Sequence, residues 1–321
     1  MDPAGAGARA GAKLSTDEQA ALRLLYWLDK QDYDFVTVTP ESHRRVVARA
    51  SMRQAKDLRG IFGWSLPFDE ALAGNELMAL LRDGRLLQEG AAGWKSKIRV
   101  SRVCGRLFLH SAFPTDRDDS VFLGPDTLRF VDFIRGELGS CAPERLIDIG
   151  AGAGVGGIVA GAMIGARRVV LADINRTALS HARVNAAHAG IAVETVESDG
   201  IAAIAPGFDL AISNPPFIFE EDAPAYRQGG GMHGAELSLN WTVEAARKLA
   251  PGGRVLLYTG SAIVDGRDPL RERLERDLPA LRCTMRWREL DPDIFGEELA
   301  KPAYADVDRI AAIGAVVEKA T

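Results

Sequence analysis

Leu146-Ile147-Asp148-Ile149-Gly150-Ala151-Gly152-Ala153-Gly154 is the stretch on which the reading of this chain turns. Its apolar start fits a buried strand. The glycines that follow let the backbone turn sharply and let a ligand approach closely. A helix begun at that point directs its amino end at the ligand. Dinucleotide-binding loops use similar glycines, spaced Gly-x-Gly-x-x-Gly. Here the glycines alternate with single residues. The formal match Gly152-x-Gly154-x-x-Gly157 lies past the turn and places its last glycine inside the helix, which disfavours NAD.

Outward from this loop, apolar runs alternate with helical patterns. Strands are expected at 145–149, 168–172, 192–197, 208–213 and 254–259, with helices near 155–164, 176–189 and 235–249. Such alternation implies a parallel sheet covered on both faces. Late runs at 281–290 and 309–317 complete seven strands, so the fold class is α/β.

Polar residues recur where these strands end. Asp173 closes the second strand, where a carboxylate can accept from both hydroxyls of a ribose or cap the next helix. Ser198-Asp199-Gly200 follows the third, where Asp199 can accept from an adenine amino group. Asn214-Pro215-Pro216-Phe217 follows the fourth. Proline fixes φ and donates no backbone hydrogen bond, so two in a row make a stiff turn. That turn presents an amide, carbonyl oxygens and an aromatic face, parts suited to gripping a flat group that carries an N–H2.

In this order the motifs resemble a class I S-adenosylmethionine-dependent methyltransferase, specifically the small-domain group with an Asn-Pro-Pro-Tyr/Phe motif. That group includes release-factor glutamine methyltransferases and RNA guanine-N2 and adenine-N6 methyltransferases. The resemblance covers roughly residues 120–320. It implies a Rossmann-like seven-stranded methyltransferase sheet and S-adenosyl-L-methionine as cofactor. By the same resemblance Asp148 orients the loop or meets the methionine ammonium, and Gly150, Gly152 and Gly154 admit the methionine portion. Asp173 would hold the ribose diol, Asp199 and Gly200 the adenine, with Ile174 an apolar wall. Thr127, in Phe122-Leu-Gly-Pro-Asp126-Thr127, would touch the cofactor, while Asp126 is suited to capping the next helix. Asn214, Pro215, Pro216 and Phe217 would form the catalytic clamp for a planar nitrogen, with Asn214 also beside the cofactor.

The acceptor stays open between a glutamine amide of a release-factor-like protein and an exocyclic amino group of RNA or DNA. Gln228-Gly-Gly-Gly-Met-His-Gly234 resembles a segment of the glutamine-directed enzymes, whereas Phe217 replaces the tyrosine those enzymes favour. The run Asp291-Pro-Asp-Ile-Phe-Gly-Glu-Glu298 and Tyr304 match neither subgroup, and neither does the N-terminal region. A small-molecule methyltransferase, or a non-catalytic cofactor-binding regulatory protein, are the alternatives.

The 321 residues fit a tail at 1–14, expected to be disordered, an N-terminal domain at 15–114 and the methyltransferase domain at 115–321. In the N-terminal domain helices are expected at 15–30, 41–58, 68–73 and 75–83. Two strands, 97–103 and 106–110, should follow around Cys104-Gly105, a possible winged-helix arrangement. The net charge is −5, yet residues 40–110 hold 13 Lys and Arg against 7 Asp and Glu. Arg99, Arg102 and Arg106 lean toward a binding surface in this reading. Cys104, Cys141 and Cys283 are scattered and the five histidines form no ligand pattern, so no metal site and no disulfide are expected. No apolar window is long enough to span a membrane. The expected location is the cytoplasm.

Overall fold

The computed structural model describes residues 13–139, 143–219 and 229–321. Most of the expected tail, Cys141 and Gln228 lie outside the described residues. Among the described residues the N-terminal region holds four α-helices: α1 (Thr16–Lys30), α2 (Pro40–Val47), α3 (Leu58–Phe62) and α4 (Glu70–Asp83). Two antiparallel hairpins follow, β1 (Leu87–Gly90) with β2 (Gly93–Ser96), and β3 (Ile98–Val103) with β4 (Arg106–Ser111).

Beyond them come α5 (Pro125–Glu137), β5 (Arg145–Ile149), α6 (Val155–Ile164), β6 (Arg168–Asp173), α7 (Arg176–Ala189), β7 (Val193–Glu197) and β8 (Phe208–Ser213). The chain ends with α8 (Glu236–Lys248), β9 (Leu249–Ile263), α9 (Pro269–Asp277), β10 (Cys283–Asp291) and β11 (Arg309–Lys319). These last strands join β5–β8 in one seven-stranded sheet ordered β10-β11-β9-β8-β5-β6-β7. β5 to β9 run parallel, and β11 is antiparallel to both its neighbours. The sheet is apolar on both faces. Leu146, Leu171, Ile212 and Leu256 pack on one side, and Ile147, Val170, Ala211 and Leu257 on the other. From β5 the chain order runs outward both ways, to β6 on one side and β8 on the other. Ligands of open α/β sheets bind at the carboxyl ends of the strands beside such a reversal.

Several N-terminal expectations change. The helix expected over 41–58 is cut short: α2 ends at Val47, a 3-10 turn follows at Ala50–Met52, and α3 starts only at Leu58. By contrast, the two short helices expected at 68–73 and 75–83 are present as the two parts of α4, separated at Gly74, whose φ of 70° and ψ of 169° are not helical. The hairpin β1–β2 was not foreseen, because Leu87–Ser96 lacks the apolar alternation that marks a half-buried strand. Arg99 and Arg102 are engaged within the chain. Arg99 is buried and donates to Ser111 O at 3.1 Å. Arg102 is spent on Asp29 and the carbonyls of Tyr33 and Gly105.

The N-terminal region is packed onto the sheet domain through α7. Glu18 takes Arg183 at 2.5 Å and Ser180 at 2.8 Å. Asn185, fully buried, exchanges hydrogen bonds with both backbone groups of Leu109 on β4. After β4 the chain stays packed against it: Val121 N donates to Ser111 Oγ, and Val121 and Leu123 are buried.

Candidate active site

A cavity of about 690 Å³ opens at the carboxyl ends of β5, β6, β7 and β8. The topology brings four loops to one place, and each carries one of the expected residues. Thr127, Asp148, Gly150, Gly152, Asp173, Ile174, Asp199, Gly200 and Asn214 to Phe217 all line it. Gly154 alone among the expected residues is not in the wall. It is buried behind it, the left-handed cap of α6 (φ 78°), against Ile158, Ala182 and Leu171.

The glycine loop is held by the two carboxylates. Asp148 is buried, and its Oδ2 accepts from Gly157 N at 2.7 Å in the first turn of α6. α6 has no side-chain N-cap, so Asp148 supplies that partner from the strand. Burial pushes the Asp148 carboxyl up to about 7, the charge of Asp173 adds to this, and the Gly157 N–H opposes it. Asp173 accepts from Gly152 N at 2.8 Å with one oxygen and from Asn175 N at 2.8 Å with the other. Burial raises the Asp173 pKa as well, against these backbone donors. Each oxygen of an ionised carboxylate can accept again, so Asp173 keeps capacity for a pair of hydroxyls.

Ile174, beside it, stays 48% exposed although it is apolar and at a strand end. Its exposed side opens on the cavity, where it forms an apolar part of the wall. Opposite in kind is Trp241 on α8, which also lines the cavity. A Cβ on Gly150 would come within 2.7 Å of its ring, and one on Gly200 within 2.5 Å of its Nε1. Both glycines have positive φ, so turn and close approach coincide. Trp241 carries no local sequence signal, since nothing in its helical surroundings announces that two distant glycines make room for an indole.

Asn214 sits half-buried at the end of β8, and its side-chain amide makes no hydrogen bond among the described residues. Pro215 and Phe217 are buried beside it. Phe217 fits because Gly260 on β9 has no side chain: a Cβ there would fall 2.4 Å from the ring. Thr127 takes Gly124 N at 3.3 Å and caps α5. Gly124, not Asp126, is the cap residue of that helix. Asp126 instead accepts from Tyr258 OH at 2.9 Å.

The segment from Asp291 to Tyr304 closes one side. Phe295 lines the cavity. Tyr304 is buried, and its hydroxyl accepts from Phe219 N at 2.8 Å and donates to His233 O at 3.3 Å. It thereby fastens the chain after the Asn-Pro-Pro-Phe turn to the glycine-rich loop. That loop, Gly229 to Gly234, lines none of the cavity. It is knotted on itself: Leu237 N donates to Gly229 O, and Glu236 takes Gly231 N.

The methyltransferase small domain family matches residues 136–263. The chain is 31% identical over 255 residues to a release factor glutamine methyltransferase of Deinococcus radiodurans, across 73% of this chain and 87% of that one. It is 32% identical over 220 residues to a ribosomal RNA small subunit methyltransferase C of Pseudomonas aeruginosa, across 68% of this chain and 57% of that one. A solved structure of M. jannaschii TYW2 in complex with AdoMet covers 70% of this chain and 88% of its own, at 15% identity and a TM-score of 0.48. The span matched by the family, residues 136–263, contains the loops after β5, β6, β7 and β8. The chain therefore belongs to the class I S-adenosylmethionine-dependent methyltransferases, with S-adenosyl-L-methionine as its cofactor.

Proposed function

We propose that this enzyme moves the methyl group of S-adenosyl-L-methionine to a planar nitrogen, a glutamine amide or the exocyclic amino group of a nucleobase. The observation that carries the reading is the unbonded amide of Asn214, held at the cavity by two prolines and flanked by Phe217. The cofactor fits the residues present. Gly150 and Gly152 leave the loop without side chains, Asp173 is suited to a ribose diol, and Ile174 with Trp241 offers apolar walls for adenine. Asp199 and Gly200 stand where the adenine edge would come, and Thr127 and Asp148 at the methionine side.

Bound S-adenosylmethionine supplies a methyl group on a sulfonium, already electrophilic. The chain's own residues then have to align the acceptor and exclude water. The Asn214 side-chain oxygen and the Pro215 carbonyl would each accept one hydrogen of the acceptor N–H2. Held so, the nitrogen is aimed, and its lone pair is released from the π-system as the new bond forms. The acceptor proton becomes acidic only then, so no strong base is needed beforehand. Phe217 would stack on the flat group and Pro216 keep the turn rigid. We assign acceptor recognition to a domain at 15–114 and methyl transfer to 115–321, and place the enzyme in the cytoplasm. Among the described residues no helix is long and apolar enough to cross a membrane.

The test is Asn214→Ala. Transfer of labelled methyl into protein, RNA, DNA and small-molecule fractions of a lysate should collapse, while S-adenosylhomocysteine binds as before. Near-normal turnover in the variant would overturn the clamp, and label on oxygen or carbon alone would overturn the nitrogen.

A further inference from the structure

Pro40, the first residue of α2, lines the cavity, and a run of cations leads away from it. Residues 40–60 contain Arg44, Arg45, Arg49, Arg53, Lys56 and Arg59 against two acids, Glu41 and Asp57. All six cations are exposed. Both acids are already engaged. Glu41 holds Arg44 at 2.5 Å and Arg45 at 2.7 Å, and Asp57 caps α3 through Gly60 N at 2.7 Å. The side chains of Arg49, Arg53 and Lys56 have neither ion pair nor hydrogen bond among the described residues.

The run is fixed relative to the cavity. His43 of α2 is buried, stacks on Phe113 at 4.1 Å and bonds Trp64 O at 3.1 Å. Thr115, two residues past Phe113, is itself in the cavity wall. The eight residues of α2 span about 12 Å, so Arg49, just past its end, starts at roughly that distance from Pro40. Five of the six cations are arginines, whose planar fork matches phosphate oxygens. At the cavity, Phe122 is 46% exposed, an aromatic face turned to solvent beside a slot for a flat group. Cations that track a backbone, together with aromatics that stack bases, are the two parts of a single-strand binding surface.

We propose that α2 and the turn into α3 form a track for the phosphate backbone of single-stranded nucleic acid, which delivers a base to the cavity past Pro40. This rests on the nitrogen-methylation reading for the chemistry and adds the carrier of the acceptor. Phosphates would lie along Arg49, Arg53 and Lys56, while the target base turns in between Phe122 and the Asn214 turn.

The probe is a labelled oligouridine, with oligodeoxythymidine as the second arm, followed by fluorescence anisotropy across a salt series. The wild type should bind at least one of them, with affinity falling steeply as salt rises. In the triple variant Arg49→Ala/Arg53→Ala/Lys56→Ala the affinity should drop about tenfold or more. The slope of log affinity against log salt should flatten by about 2, at roughly 0.7 per lost phosphate contact. S-adenosylhomocysteine affinity and Tm should be unchanged, since these side chains touch neither cavity nor core. No binding of either oligonucleotide by the wild type, or a wild-type slope in the triple variant, overturns the track. Methyl transfer into protein that the triple variant leaves intact overturns it too, and spares the clamp. If instead Asn214→Ala keeps turnover while the triple variant loses the oligonucleotide, the clamp fails and the track stands.

Discussion

The ring of Phe295 meets the ring of Phe217 edge-on, with centroids 5.5 Å apart and planes at 75°. Phe295 does this from a left-handed backbone conformation (φ 54°), which costs a non-glycine residue about 1–2 kcal/mol. An edge-to-face pair returns about 0.5–1.5 kcal/mol. That return adds to the apolar area the ring buries against the core, so Phe295 packs as well as lining the cavity. Its placement makes sense as a second aromatic wall for the flat acceptor that Phe217 would stack upon.

Phe295→Ala should therefore raise the acceptor KM on the order of tenfold, with cofactor affinity within twofold of wild type. Steady-state kinetics with the acceptor varied, beside calorimetry with S-adenosylhomocysteine, read the two separately. An unchanged KM would reduce Phe295 to packing.

The sheet and its ligand-facing loops were legible because each rests on a local signal. Apolar runs gave β5, β6 and β8, and glycines or prolines marked where they stop. Asp173 and Asn214 could be placed at strand ends without any tertiary information. Trp241 and Phe295 could not, since both act by meeting residues far away in sequence, Gly150 and Gly200 for one and Phe217 for the other. Arg99 and Arg102 misled for the same reason: a cation on a strand looks alike whether it meets a partner molecule or the carbonyl of Ser111. The useful cations lie instead on α2 and beyond, where the expected long helix had hidden the break at Ala50–Met52.

Asp148 predicts a pH dependence. Burial holds its carboxyl at about 7 in the folded chain, above its ordinary value of 3.8. Between those values the folded state binds more protons than the unfolded one, so stability falls as pH rises through this window. The contribution is whole below about 3.8 and is lost above about 7. Asp148→Asn removes the titration and keeps an oxygen that can accept from Gly157 N. Its Tm should fall less than that of wild type between pH 5 and about 7.5, and cofactor affinity should weaken if the carboxylate faces the methionine ammonium. Thermal melts across that range decide the first point, and parallel Tm profiles would show that Asp148 does not titrate there.

Asn185 joins the two halves of the molecule to the cofactor loop. Its Oδ1 accepts from Leu109 N at 2.8 Å, and its Nδ2 donates to Leu109 O at 3.0 Å and to Ala153 O at 2.9 Å. The side chain has no access to solvent. Asn185→Ala leaves three buried backbone groups without these partners, and stranded groups of this kind cost about 1–3 kcal/mol each, partly relieved by relaxation. A net loss on the order of 3 kcal/mol in urea unfolding is expected, with a weaker grip on S-adenosylhomocysteine, because Ala153 belongs to the glycine loop. If the loss comes with wild-type cofactor affinity, Asn185 secures the hairpin β3–β4 to α7 but does not shape the loop. A loss under about 0.5 kcal/mol would mean that water or a local shift satisfies the stranded groups.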